Sequence, residues 1–486
     1  MPVSPSRAIA FDILRRVEEE GAYAADALHA RLGSGARARR QASAAGPRDW
    51  AKRVGKEPGE GRVKNSVERR DAALATELVF GVLRWQRLLD FLVERQANRS
   101  AESLQANVRR ALRLGAYQLL FLDRIPASAA VNESVELAKQ AGSARAASLV
   151  NAVLRRMPRG PFRAASFELA LPERTGEAER LGILYSHPDW LVRRWLDRFG
   201  VERTRALLES NNRPLPTACS VLDEAHAEQI AESLREDGLE VGQGHLIERA
   251  LILRGGNPIQ SAAFGEGWIA VQDEASQAVA LLAGVQAGQS VLDLCAAPGN
   301  KTLHLARAAG PGARVVAADL HPHRLRAVRG QLERTATAGV ALVALDATIP
   351  LPFRARFDRV LVDAPCSGTG TLSRNPEIRW RLKEADIADL ARRQAAILRH
   401  ALDVLAQGGR LVYATCSLEP EENEAVVRGA LAECPEARLC GAPADFASHL
   451  AAGVSTAKLF DSDGFFHTMP NETSTDGFFA AILTRK

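Results

Sequence analysis

The chain has 486 residues, 46% apolar and 25% charged, which suits two or three domains with well-filled cores. Apolar stretches such as 278–285 are far too short to span a bilayer. The N-terminus alternates apolar residues (Ile9, Phe11, Ile13, Leu14) with charged ones (Arg7, Asp12, Arg15, Arg16), so a cytoplasmic protein without membrane attachment is expected. Six scattered cysteines with no Cys-x-x-Cys pair exclude a disulfide framework and point to reduced thiols and no metal site, while the net charge of +5 is concentrated in one stretch.

Residues 5–32 have the three-four apolar spacing of one amphipathic helix and the start of another. The pattern breaks at 33–66. This stretch holds nine Lys or Arg (Arg37, Arg39, Arg40, Arg48, Lys52, Arg53, Lys56, Arg62, Lys64) against three acids (Asp49, Glu57, Glu60), and the rest of the chain sums to −1. With few large apolar residues it is expected to be a flexible basic loop, either a solvated linker or a phosphate-binding arm. Helical periodicity returns from 71 to 157, through Leu74, Leu78, Val79 and Val82 to Leu149, Val150, Val153 and Leu154. Residues 1–157 are therefore expected to form an all-helical domain.

A linker with Pro158, Gly160, Pro161 and Pro172 covers 158–186. Residues 187–285 are predicted to form a small α/β module, with a helix at 187–209, a strand at 217–222, a helix at 225–237 and strands within 238–254. From 286 to 486 strands and helices alternate. Strands are predicted at 290–294, 314–319, 340–345, 357–363 and 410–414, with helices at 301–309, 324–334 and 386–405. The strands are nearly continuous apolar runs, as in a parallel sheet covered on both faces. The final run, 477–483, reads as an antiparallel edge strand.

In such a sheet ligands bind at the carboxyl ends of the strands, where strand order reverses. The first strand ends in Cys295-Ala296-Ala297-Pro298-Gly299-Asn300-Lys301, small residues that open onto a helix. The second ends in Asp319, placed to accept ribose hydroxyls, with Arg324 following it. The third ends near Asp346, placed for an adenine amine. The loop lacks Gly-x-Gly-x-x-Gly, which argues against a pyrophosphate cradle and for an adenosine without phosphates.

Strand four ends in Asp363-Ala364-Pro365-Cys366-Ser367-Gly368-Thr369-Gly370 and strand five in Thr415-Cys416-Ser417. A lone cysteine is usually core filler. Two at the cofactor rim, one beside an aspartate, suit methylation of a carbon with no nucleophilicity of its own. A thiolate adding to C6 of cytosine turns C5 into an enamine carbon. A proton at N3, from Asp363, stabilises that electron flow. Lys301 brings positive charge near Asp363 or a thiolate.

Residues 187–486 resemble the NOL1/NOP2/Sun family of RNA cytosine-5 methyltransferases. The matching stretches are 294–302, 363–370, Arg374-Asn375-Pro376-Glu377-Ile378-Arg379-Trp380, Tyr413-Ala414-Thr415-Cys416-Ser417-Leu418 and Glu421-Glu422-Asn423-Glu424. The resemblance implies Cys416 as nucleophile, Cys366 as an aid to product release, and Asp319, Asp346 and Asp363 as cofactor or substrate ligands. It also implies S-adenosyl-L-methionine as cofactor and a Rossmann-like methyltransferase fold with a mostly parallel seven-stranded sheet. Asn300 departs from the glycine usual in the family.

Residues 112–133 and 149–155 resemble the NusB-type RNA-binding domain. That domain fused ahead of this catalytic domain is the arrangement of bacterial methyltransferases acting on small-subunit ribosomal RNA, and a monomer with that RNA as partner is expected. Three other readings stand beside it: a DNA cytosine-5 methyltransferase, disfavoured by the second thiol; a non-catalytic RNA-binding factor; and the same chemistry on transfer RNA.

Overall fold

The computed structural model describes residues 3–40, 61–160, 162, 171 and 174–486. They divide into two compact units. One contains residues 1–213 with 372–381, the other 214–371 with 382–486. Among the described residues no helix is long and apolar enough to cross a membrane.

The first unit is helical: α1 (Pro5–Glu19), α2 (Ala24–Arg40), α3 (Gly61–Ala97), α4 (Ala106–Phe121), α5 (Ala127–Ala138) and α6 (Ala147–Arg156), followed by helices Glu177–Leu184 and Asp189–Asn211. α4 is the central element and is buried almost throughout. Gly81 of α3 lets it pass close to α4, since a Cβ there would meet the Tyr117 ring at 2.0 Å. Two arginines of α4 lie in this core with carboxylate partners. Arg110 pairs with Glu18 (2.7 Å) and Glu19 (2.9 Å), and Arg113 with Glu18 (2.9 Å) and Asp90 (2.6 Å). A buried charge is tolerable when it is paired and hydrogen-bonded in this way. The stretch expected to be a loop at 33–66 is corrected at both ends. Helix α2 continues to Arg40 and α3 begins at Gly61, and Ala and Arg are good helix formers. Residues 41–60 of that stretch lie outside the described residues.

Residues 372–381 fold within this helical unit. Arg379 is fully buried and donates to the carbonyls of Arg84, Ser186, Asn211 and Leu372 and to Asn212 Oδ1. Glu377 accepts from the Ala24 amide at 2.8 Å, and Trp380 Nε1 donates to the Leu83 carbonyl at 2.7 Å.

The second unit holds two sheets. The smaller has β1 (Thr217–Val221), β2 (Glu240–Gln243), β3 (Ala250–Arg254) and β4 (Ile269–Val271), all antiparallel in the order β2-β3-β1-β4. β4 is a three-residue strand that sequence reasoning missed. The larger sheet has β5 (Val291–Leu294), β6 (Val315–Asp319), β7 (Val340–Ala344), β8 (Phe357–Asp363), β9 (Leu405–Thr415), β10 (Ala437–Cys440), β11 (Phe466–His467) and β12 (Phe479–Arg485). Its order is β10-β12-β9-β8-β5-β6-β7, seven strands, with β11 added against β12. The pairs from β7 to β9 are parallel and β12 and β10 run antiparallel. The expected mostly parallel sheet is therefore present.

The C-terminal strand is not an edge. β12 lies between β9 and β10, and its first five residues are buried, which explains its unbroken apolar run. The edge on that side is the four-residue β10, short as edge strands tend to be. β9 also starts five residues before the predicted strand, because the preceding helix, Glu384–Asp403, stops at Asp403.

Candidate active site

Strand order reverses at β5, whose neighbours are β6 and β8, so a crevice opens beyond its carboxyl end. The register sets the rim. Leu294 pairs with Ala318 on one side and Val362 on the other, and Asp363 pairs with Ala414. The next residues along this rim are Asp319, Cys295, Asp363 and, on β9, Thr415 and Cys416. A cavity there is lined by Ser276, Asp293, Cys295, Ala296, Ala297, Pro298, Asn300, Lys301 and Asp363.

The loop after β5 turns sharply. Cys295 has φ 61° and Gly299 φ 108°, and a Cβ on Gly299 would sit 3.1 Å from the Val328 backbone. Only glycine takes that conformation beside a packed helix without strain. Burial, and after it the nearby Asp363 and Asp319 carboxylates, pushes the Cys295 thiol up, so it is a neutral lining group. Asn300, the departure from the family pattern, donates to the Val271 carbonyl of β4 at 2.8 Å. It thereby ties the loop to the smaller sheet and leaves Lys301 Nζ on Asp363 Oδ2 at 2.7 Å.

Asp319 is buried and accepts from the Ala297 amide (3.2 Å) and the His321 amide (3.1 Å), with Arg324 at 3.6 Å. Asp346 stands apart, two residues past β7, and its carboxylate accepts from the Thr348 amide (2.8 Å) and hydroxyl (2.6 Å), which hold it below the usual carboxylate range. The structure thus gathers Cys295, Ala296, Ala297, Pro298, Asn300, Lys301 and Asp363 around one cavity and sets Asp319 against its loop, whereas Cys366 and Cys416 are not among the lining residues and Asp346 is engaged with its own turn.

Sequence reasoning read Asp293 only as a strand residue. It is fully buried, with Thr302 Oγ1 donating to Oδ2 at 2.5 Å and Oδ1 unpartnered among the described residues. Burial raises its carboxyl to about 7. An aspartate in an apolar strand is the signal that could have marked it.

Cys366 Sγ and Cys416 Sγ are free thiols 3.3 Å apart. The hydrogen bond to Cys416 and burial hold the Cys366 thiol well above its ordinary pKa. Around the pair runs a buried polar network. Glu422 accepts from the Ser367 amide (2.8 Å), the Ser417 hydroxyl (2.5 Å), the Ser367 hydroxyl and Gln394 Nε2 (2.9 Å). Two neighbouring thiols past the ends of β8 and β9, with a Lys–Asp pair at the end of β8, are the groups needed for a nucleophile, a second proton carrier and a charged proton relay.

The family model for 16S rRNA methyltransferase RsmB/F matches residues 279–484, that of the NusB family 44–159, and that of the RsmF/B-like ferredoxin-like domain 187–260. Ribosomal RNA small subunit methyltransferase B of Cronobacter sakazakii is 35% identical over 87% of this chain and 93% of its own. The crystal structure of PH0851 covers all of both chains at TM-score 0.76 and 25% identity. NSun6 from Pyrococcus horikoshii with SFG shares the fold at TM-score 0.54 and 20% identity, over 62% of this chain and 99% of its own. The chain belongs to the small-subunit ribosomal RNA methyltransferase B family, with a NusB-type helical domain, a ferredoxin-like module and a catalytic methyltransferase domain.

Proposed function

We propose that this methyltransferase moves a methyl group from S-adenosylmethionine to C5 of one cytosine in small-subunit ribosomal RNA, through a covalent bond between Cys416 and C6. The observation that carries this reading is the pair of thiols 3.3 Å apart past the ends of the adjacent parallel strands β8 and β9, of which β8 also ends in Asp363, the partner of Lys301.

The residues present fit the cofactor. Asp319 and Asp363 put two carboxylates, and Asp293 a third carboxyl group, around a loop of small residues, a setting that repels a pyrophosphate and suits an adenosine carrying a positive charge. Asp319 would take the ribose, the 295–301 loop would lie against the methionine portion, and Arg324 and Asp346 would border the adenosine. The bound cofactor supplies an electrophilic methyl group. The SFG held by the NSun6 neighbour is an analogue of that cofactor, which supports the reading at the level of fold.

The protein's own residues do the rest. The Cys416 thiolate adds to C6 while the Lys301–Asp363 pair shares a proton with N3, so the electron pair released toward N3 is stabilised. C5, now an enamine carbon, takes the methyl group. Loss of the C5 proton to water then returns electrons to the ring and expels the Cys416 thiolate. Cys366, whose thiol is held above its ordinary pKa by the hydrogen bond to Cys416 and by burial, is suited to protonate the departing Cys416 thiolate.

Bisulfite sequencing of ribosomal and transfer RNA, from cells with and without the protein, tests this. One protected cytosine in small-subunit RNA is expected to disappear without the protein. Wild-type protein restores it and Cys416→Ala does not. Loss confined to transfer RNA would overturn the substrate, and loss in neither would overturn the chemistry.

A further inference from the structure

The motif Glu421-Glu422-Asn423-Glu424 has no part in the chemistry above, yet it lies directly behind the thiols. Glu422 is fully buried and all its partners are hydrogen-bond donors. Oε1 accepts from the Ser367 amide (2.8 Å) and from Gln394 Nε2 (2.9 Å), and the same Gln394 nitrogen donates to the Pro365 carbonyl (2.8 Å). Oε2 accepts from the Ser367 hydroxyl and from the Ser417 hydroxyl (2.5 Å). Ser367 follows Cys366 and Ser417 follows Cys416. One carboxylate therefore holds the residue after each thiol, on two different strand ends.

The neighbouring bonds tighten the same point. Asn423 accepts from Thr415 Oγ1 (2.5 Å) and donates to the Ser417 carbonyl (2.8 Å), gripping Cys416 from both sides. Tyr413 donates its hydroxyl to the Glu422 carbonyl at 2.6 Å. Between the loops, the Gly370 amide donates to the Cys416 carbonyl (2.9 Å) and the Leu418 amide to Thr369 Oγ1 (2.8 Å). A satisfied buried network fixes its members; here every oxygen of Glu422 has its donors, and Gln394 Oε1 is left without a partner among the described residues. The alternative reading, a purely structural acid in the core, leaves unexplained why its donors come from the two thiol loops.

We infer that Glu422 is a positioning residue that sets the separation of the Cys366 and Cys416 sulfurs, so that Cys366 stands ready when Cys416 must leave the substrate. This rests on the proposed division of labour between the thiols, and its test has one arm that needs no RNA.

That arm is capture by phenylarsine oxide, which binds firmly only where two sulfurs are close enough to bridge one arsenic. Each thiol gives up its proton, two arsenic–sulfur bonds form, and the oxide oxygen leaves as water. Intact-protein mass measurement of full-length wild type should show one arsenical bound. Glu422→Ala should weaken capture roughly 100-fold, the loss expected when a two-point attachment becomes one-point. Glu422→Gln should stay near wild type, because the amide oxygen still accepts from Ser367 and Gln394 while its nitrogen donates to the serine hydroxyls.

The second arm is a denaturing gel with substrate RNA. Cys366→Ala and Glu422→Ala should both accumulate a slow RNA-linked protein band, and Glu422→Gln should not. If Glu422→Ala does not fold, Ser417→Ala takes its place and should show the same loss of capture in smaller degree. Unchanged capture in a folded Glu422→Ala, or in that Ser417→Ala, would overturn the inference. Lost capture with no RNA-linked band in Cys366→Ala would instead uphold the geometry and overturn the release role of Cys366.

Discussion

Arg379 in the helical unit and Glu422 in the catalytic unit are both fully buried, and neither is neutralised by a salt bridge among the described residues. Arg379 is a cation held by four carbonyls and an asparagine oxygen. Burial lowers its pKa to about 9, and Arg84 adds to that shift. Glu422 is an acidic side chain held by amide and hydroxyl donors. Both belong to stretches on which the family resemblance of the sequence rests, and both are joined to segments far apart in the chain. They differ in what they organise. Arg379 joins helices and the turns that follow them, mostly at backbone carbonyls, so its work is structural. Glu422 joins the residues beside two reactive thiols, so its work reaches the chemistry. A motif residue can therefore mark either a core or a site, and the partner atoms decide which.

The sharpest way to break the comparison is Arg379→Met. It strands several carbonyl acceptors in the core and should cost about 3 kcal/mol or more of stability, read by urea unfolding. In the folded fraction, arsenical capture by Cys366 and Cys416 should stay as in wild type, and a change there would end the contrast drawn above.

The next effect falls on Asp293. Its folded pKa of about 7 lies above the ordinary 3.8, so folding favours the protonated form. Its stabilising contribution is complete below about pH 4 and is lost as pH rises toward 7. Thr302 and Lys301 oppose the shift, while Asp363 and Asp319 reinforce it. Asp293→Asn cannot ionise, so its stability relative to wild type should rise by roughly 2–4 kcal/mol between pH 4 and pH 7. Thermal unfolding across that range measures it, and parallel curves for the two proteins would show that Asp293 is ionised throughout.

The smallest effect should come from Asn300→Gly, which restores the family's usual residue. It removes the hydrogen bond to Val271 and adds chain freedom, at a cost of about 1 kcal/mol. An increase in melting temperature would mean that the bond to β4 strains the loop instead of anchoring it.

Much of this molecule was legible in the chain itself. The helical periodicity of 71–157, the apolar strands and their carboxyl-end residues follow from local rules, because side-chain period and burial are written residue by residue. The thiol pair and the Lys301–Asp363 contact were also within reach, since a parallel sheet puts successive strand ends on one rim. Other features needed three dimensions. The last strand sits inside the sheet rather than at its edge because the short strand β10, about 40 residues earlier in the chain, covers it, and nothing local encodes that partner. The 372–381 segment lies in the helical unit although its neighbours in sequence build the catalytic one. Asp293 becomes an acid with a shifted proton, and Glu422 a clamp on two loops, only when the folded chain buries them and brings distant donors to their oxygens. Local sequence sets which groups are present and which way they face, whereas burial and long-range contacts decide their charge, their partners and their work.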